Sequence, residues 1–174
     1  MIELTDIDLD EDGELSAVVM LPGDRQVAVL FALDDDEQLG SAEMLAIAQR
    51  ALAPLTGEEL DRLDDEIVHE LVDSDFEGGE REAEASDYAV LADELDLQGA
   101  IVSSDATLVL VYEAPTQYAG LVIYAELDEA LLIEVLSVAE PDLEDEDEDD
   151  DEDEDEDALD ADAEEEEEEV EQGD

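Results

Sequence analysis

An unbroken run of fourteen acidic residues, EDEDEDDDEDEDED from Glu144 to Asp157, divides this chain into two kinds of polymer. Like charges packed so densely cannot bury enough apolar surface to offset chain entropy, so such a run stays extended and solvated. The bias continues on both sides. From Glu140 to Asp174, 26 of 35 residues are Asp or Glu, six of them consecutive at Glu164 to Glu169, and Leu159 and Val170 are too sparse to seed a core. The expected organisation is a folded domain over residues 1–139 followed by a disordered polyacidic tail over 140–174.

The first 139 residues hold 36 acidic side chains against four arginines, a net charge of −32, yet they carry clear periodic segments. With 44% apolar residues the chain can supply a core of ordinary size. Glu14 to Leu21 (ELSAVVML) and Gln26 to Leu33 (QVAVLFAL) are β-branched apolar runs on either side of Pro22-Gly23-Asp24-Arg25. Proline fixes φ at the second position of a type II turn and glycine accepts positive φ at the third, so the pair reads as an antiparallel hairpin. Ser41 to about Leu55 predicts a helix with Ser41 as N-cap and Pro54 near its end. Thr56-Gly57-Glu58-Glu59 has the form of a capping box. The stripe Leu60, Leu63, Ile67, Val68 and Leu71 predicts a second, amphipathic helix to about Val72.

Residues 73–87, DSDFEGGEREAEASD, combine Gly78-Gly79 with charge and predict a mobile loop, followed by a short helix from about Asp87 to Leu95. Apolar runs then recur at 99–102, 107–113, 120–126 and 130–136, with turns at Ser103-Ser104-Asp105 and Asp128-Glu129, as in a β-meander. The predicted class is α+β: an antiparallel sheet built from the N-terminal hairpin and the C-terminal meander, packed with two to three helices. No internal repeat is present.

Charge and composition narrow function. Sixty-two acidic residues against four Arg, no Lys and one His give a formal charge of −58, which repels nucleic acid and anionic membrane and favours a basic protein or polycation as partner. The absence of cysteine excludes disulfides and thiolate metal sites. The start MIELTDIDLD has no cationic segment followed by an apolar one, and no run approaches the roughly 18 apolar residues of a membrane span, so the expected location is the cytoplasm.

Several residues invite a chemical reading. In DIDLDEDGEL, residues 6–15, Asp8, Asp10 and Asp12 alternate ahead of Gly13, as at the opening of a calcium loop. Such a loop needs a bidentate Glu at its twelfth position, and counting from Asp8 that position is Val19; counting from Asp6 puts Glu11 where glycine is required. The stretch therefore reads as an acidic turn before the first strand, with at most weak, diffuse divalent-cation binding. His69, near Asp65, Glu66 and Arg62 on the polar side of the second helix, reads as a solvated surface residue in the absence of a second His or a nucleophile motif. Tyr112, Tyr118 and Tyr124 read as core aromatics of the meander. Glycine-rich phosphate-binding and nucleophile-elbow motifs are missing, so neither a cofactor nor an enzymatic activity is expected.

The layout SAVVMLPGDRQVAVLFAL, two helices, then ATLVLVYEAPTQYAGLVIYAELDEALLIEVL resembles small bacterial α+β domains of unknown function, some of them immunity-protein-like. The resemblance spans roughly residues 13–137, carries over no functional residue, and leaves the tail outside it. The expected function is that of a non-enzymatic binding protein that engages a basic partner by nucleic-acid mimicry, toxin neutralisation or chaperoning. The partner-binding residues are those of the acidic run: Glu144, Asp145, Glu146, Asp147, Glu148, Asp149, Asp150, Asp151, Glu152, Asp153, Glu154, Asp155, Glu156 and Asp157. The alternative is a housekeeping domain whose charge serves solubility or salt adaptation.

Overall fold

Strict alternation in LSAVVML and RQVAVLFA places every second side chain on one face, and those side chains are the buried ones: Leu15, Ala17, Val19 and Leu21 on one strand, Val27, Val29 and Phe31 on the next. The computed structural model describes residues 2–10, 14–33 and 39–141. Its elements run β1 (Leu4–Leu9), β2 (Leu15–Leu21), β3 (Arg25–Ala32), α1 (Ser41–Leu52), α2 (Gly57–Phe76), α3 (Ala85–Glu94), β4 (Asp96–Ser103), β5 (Leu108–Glu113), β6 (Val122–Leu127) and β7 (Ile133–Ala139). The α+β class is as expected. The acidic run Glu144 to Asp157, and the tail from Asp142 onward, lie outside the described residues.

The strands form one sheet in sequential order, β1 to β7. The expected all-antiparallel sheet is corrected to a mixed one, because β3 and β4 pair in parallel, with Ala28 opposite Gly99 and Phe31 opposite Val102. The three helices between those strands carry the chain back to the end of the sheet where β3 began, which is what a parallel neighbour requires. The acidic turn expected ahead of the first apolar run is shorter than expected: Asp10 bonds Glu14 just before β2, and the acidic residues preceding it form a strand. Asp6 and Asp8 sit within β1, an edge strand of which only Leu4 is buried, and Asp6 adopts φ 48° at a bulge between Thr5 and Asp8. Asp tolerates that left-handed backbone better than most residues.

The β2–β3 hairpin has Leu21 opposite Arg25 across Pro22-Gly23-Asp24, and Gly23 at φ 83° supplies the positive φ its turn demands. Helix α1 is capped by Gly40, one residue before the expected Ser41, and closes at Ala53, whose N–H donates to the Gln49 carbonyl. Helix α2 begins at the expected cap, with Thr56 Oγ1 accepting from Glu59 N at 3.2 Å, but the expected capping box is only half formed: Thr56 N donates to the Pro54 carbonyl at 2.8 Å and the Glu59 carboxylate turns to Arg62. Leu60, Leu63, Ile67, Val68, Leu71 and Val72 form its buried stripe. It continues to Phe76, and α3 starts at Ala85, so the loop expected over 73–87 contracts to the connection between Phe76 and Ala85. The α3 start is a capping box in which Glu84 replaces the usual Ser or Thr, and Asp87 Oδ2 accepts from Glu84 N at 2.7 Å.

The apolar stripes of the three helices and one face of the sheet close a single core. The other face carries no helix among the described residues. Met20 and Leu30 are exposed there, while Ile101, Val109 and Val111 are half-buried. Among the described residues no helix is long and apolar enough to cross a membrane.

Candidate functional site

Helix α2 concentrates charge as the sequence requires. Outside its buried stripe lie nine Asp or Glu residues within twenty positions, against one Arg and one His. Near its C-terminal end an open groove of about 740 Å³ runs toward α3, lined by Glu70, Asp73, Glu77 and Glu82 together with Phe76 and Tyr88. The Tyr88 hydroxyl donates to Asp73 Oδ1 at 2.6 Å, and that bond to a carboxylate raises the phenol above its usual range. The Tyr88 ring leans on His69 at 4.8 Å between centroids and 45° between planes. His69 is exposed, as expected, and its packing against Tyr88 joins α2 to α3.

At the rim of the groove the chain binds one of its own cations. Arg81 lies with its guanidinium carbon 4.5 Å from the centroid of the Phe76 ring. Its two terminal nitrogens donate to the two Asp87 oxygens at 3.0 Å each. This fork-to-fork geometry, with an aromatic face beneath, is how proteins hold a guanidinium. Arg81 holds the Asp87 carboxyl below the usual carboxylate range, helped by the Glu84 N–H, and Asp87 in turn raises Arg81.

Elsewhere the cations fasten helices to the sheet. Arg62 bridges Glu59 at 3.0 Å and Glu66 at 2.7 Å while donating to the Leu131 carbonyl at 2.6 Å, which ties α2 to the turn before β7. Arg25 donates to Asp64 Oδ2 at 2.8 Å and approaches Asp61 at 3.6 Å. Behind this pair the Tyr112 side chain is fully buried, and neither its hydroxyl nor Asp64 Oδ1 completes a hydrogen bond. Burial, with the Asp64 carboxylate nearby, pushes the Tyr112 phenol far up. With Tyr112 sealed from solvent, the set braces α2 against the sheet.

Of the other expected aromatics, Tyr118 packs beside the core and donates to Asp75 Oδ2 at 2.7 Å, and burial raises its phenol. Tyr124 is corrected. It pairs with Val111 in register, and both point away from the helices, so Tyr124 belongs to the uncovered sheet face rather than the core. In the DIDLDEDGEL stretch, Asp10 Oδ1 accepts from Glu14 N at 2.8 Å, and Asp10 N donates to the Glu14 carbonyl at 3.0 Å. Asp10 thus closes the connection from β1 to β2. Asp12 and Gly13 lie outside the described residues, and among the described residues no group of three or more His, Asp or Glu is arranged to hold a metal.

Sequence reasoning missed the groove because it lies in the segment assigned to a mobile loop. The usable signals were Phe76, the one phenylalanine in that segment, five residues before Arg81, and the Glu84-x-x-Asp87 spacing. No family model, no curated protein and no solved structure matches the chain.

Proposed function

We propose that this chain is a non-enzymatic binding protein whose acidic helix surface and polyanionic tail engage a basic protein partner in the cytoplasm. The observation that carries the reading is Arg81, an internal example of the contact a partner would make: a guanidinium clamped by a carboxylate over an aromatic ring beside a groove with four more carboxylates. The tail adds reach. An extended chain advances about 3.3–3.6 Å per residue, close to the roughly 3.4 Å charge spacing of one DNA strand. The Glu144 to Asp157 run therefore offers a phosphate-binding surface nearly the charge density it is built for, over about 50 Å. A basic nuclease toxin, as the resemblance to immunity-like domains implies, and a chaperoned basic protein both fit this chemistry.

The test is calorimetric titration of the full chain with an arginine-rich peptide, alongside a variant lacking the Glu144 to Asp157 run and a Phe76→Ala variant. The expected result is saturable binding that weakens steeply with salt and is reduced by each change. Binding that is undetectable at low salt, or indifferent to both changes while the run's deletion alters only solubility, favours the solvation role instead.

A further inference from the structure

We propose that β7 is a docking edge for an extended segment of a basic protein, which joins the sheet as an eighth strand with an apolar centre and Lys or Arg at each end. The inference rests on the basic-partner reading and says where on the folded domain such a partner is held. β1 and β7 are the two edges of the sheet, and they differ. β1 carries Asp6 and Asp8 and is bulged between Thr5 and Asp8, where Asp6 adopts φ 48°. Charge and a bulge on an outer strand block pairing with a foreign one.

β7 presents a more open edge. Residues 135–139 (VLSVA) hold no charged side chain and no positive φ, and they pair in unbroken register with residues 126–122 of β6. The bulge of this pair falls earlier, at Glu134. Val135 at the start of the run is 50% exposed, and Leu132 just before the strand is 52% exposed. Among the described residues β6 is the one strand that pairs with β7, so the outer N–H and C=O groups of the run are left for a further strand. In such an addition the main-chain ladder supplies affinity and alternate side chains supply selectivity.

Charge selects the occupant. Exposed carboxylates bracket the run, Glu129 and Glu134 before it and Glu140 after it, and the acidic sequence that opens at Glu140 reaches the fourteen-residue run at Glu144. Glu134 and Glu140 lie six positions apart, about 20 Å along a strand. A segment with cations at that spacing meets a carboxylate at each end while its apolar centre lies beside the uncharged run, and opposite charges on adjacent strands attract. A second copy brings the reverse. Pairing residues 135–139 antiparallel with themselves, centred on Ser137, sets each copy's Glu134 opposite the other's Glu140, and like charges directly opposite repel. The chain's own acidic C-terminal residues are excluded on the same ground.

Two peptides test this against the full chain: Lys-Arg-Val-Thr-Val-Thr-Val-Arg-Lys, and the same sequence with proline in place of both threonines, which keeps the charge and removes the strand. Calorimetric titration at about 0.1 M salt should show the first binding at least about tenfold more tightly, because it alone completes a ladder. On its binding, amide hydrogen exchange should slow at residues 135–139 and stay unchanged in β1. Val135→Lys, which puts a cation on the edge, should remove the preference, whereas Met20→Lys, an equal change of charge at an exposed site on β2, should keep it. Equal binding of both peptides, unaltered exchange in β7, or a preference that survives Val135→Lys would overturn the edge inference and leave the basic-partner reading standing. Binding of neither peptide at about 0.01 M salt would sink both. β7 exchange that slows with protein concentration in the absence of peptide would place a second copy on the edge and overturn the proposal as well. If Val135→Lys does not fold, the exchange pattern of the unaltered chain decides.

Discussion

Replacing Tyr112 by phenylalanine should stabilise the fold, an uncommon direction for a change at a fully buried site. The hydroxyl is enclosed beside the Asp64 carboxylate without completing a well-formed hydrogen bond to it, so folding strips it of water with little return. An unsatisfied buried polar group of this kind costs about 1–3 kcal/mol, which Tyr112→Phe recovers. Against this stands the void left by one oxygen. At about 24 cal/mol per Å³ over roughly 10 Å³, that void costs ~0.3 kcal/mol. The net gain is about 0.7–2.7 kcal/mol, which for a domain of this size raises Tm by roughly 2–9 °C. Urea and thermal unfolding of the two proteins, followed by circular dichroism, measure it directly, with the midpoint moving and the urea m-value constant. The opposite result is equally specific. If Tyr112→Phe loses about 1 kcal/mol or more, the hydroxyl donates to Asp64 Oδ1 in solution and its removal leaves a buried carboxylate short of a donor. The unsatisfied pair behind Arg25 would then be wrong.

Two further outcomes follow from local geometry. Thr56→Ala removes the side chain that accepts from Glu59 N and should cost about 1 kcal/mol, seen as a lower midpoint in the same unfolding assay. The folded-state pKa of Asp87 lies below its unfolded value, so its contribution is complete above the unfolded pKa and disappears as pH falls through the folded one. Asp87→Asn should therefore flatten the acid limb of a plot of Tm against pH below about pH 5 while lowering stability at neutral pH. An unchanged acid limb would mean that Arg81 does not hold this carboxylate in solution.

The parts of the fold legible in the sequence are those where local chemistry and burial agree. The β2–β3 hairpin has strict alternation around Pro22-Gly23, α2 has both its Thr56 cap and its apolar stripe, and β5 to β7 follow one another as a meander. Strand β1 was hidden because LTDIDL reads as acidic coil, and the pattern of an edge strand is weak when only Leu4 is buried. The parallel pairing of β3 with β4 is a long-range choice that no local run encodes, although the order strand, helices, strand implies it. At the groove, Glu84 acting as a helix cap is outside the usual Ser, Thr, Asp and Asn preference, so the start of α3 and the position of Arg81 went unread.

The single parallel pairing also sets how the molecule assembles. Every other strand contact joins sequence neighbours through a short connection, so β1 to β3 and β4 to β7 can each zip locally. Phe31 and Val102 meet only after the whole helical crossover has been looped closed, and the entropy of that closure falls on one step. The β3–β4 seam is therefore where folding speed is decided and where the two halves become one cooperative unit. Side chains along it, Val29 and Ala100 on the core side and Leu30 and Ile101 on the other, govern the rate of folding more than the rate of unfolding, whereas the outer strands can fray at little kinetic consequence.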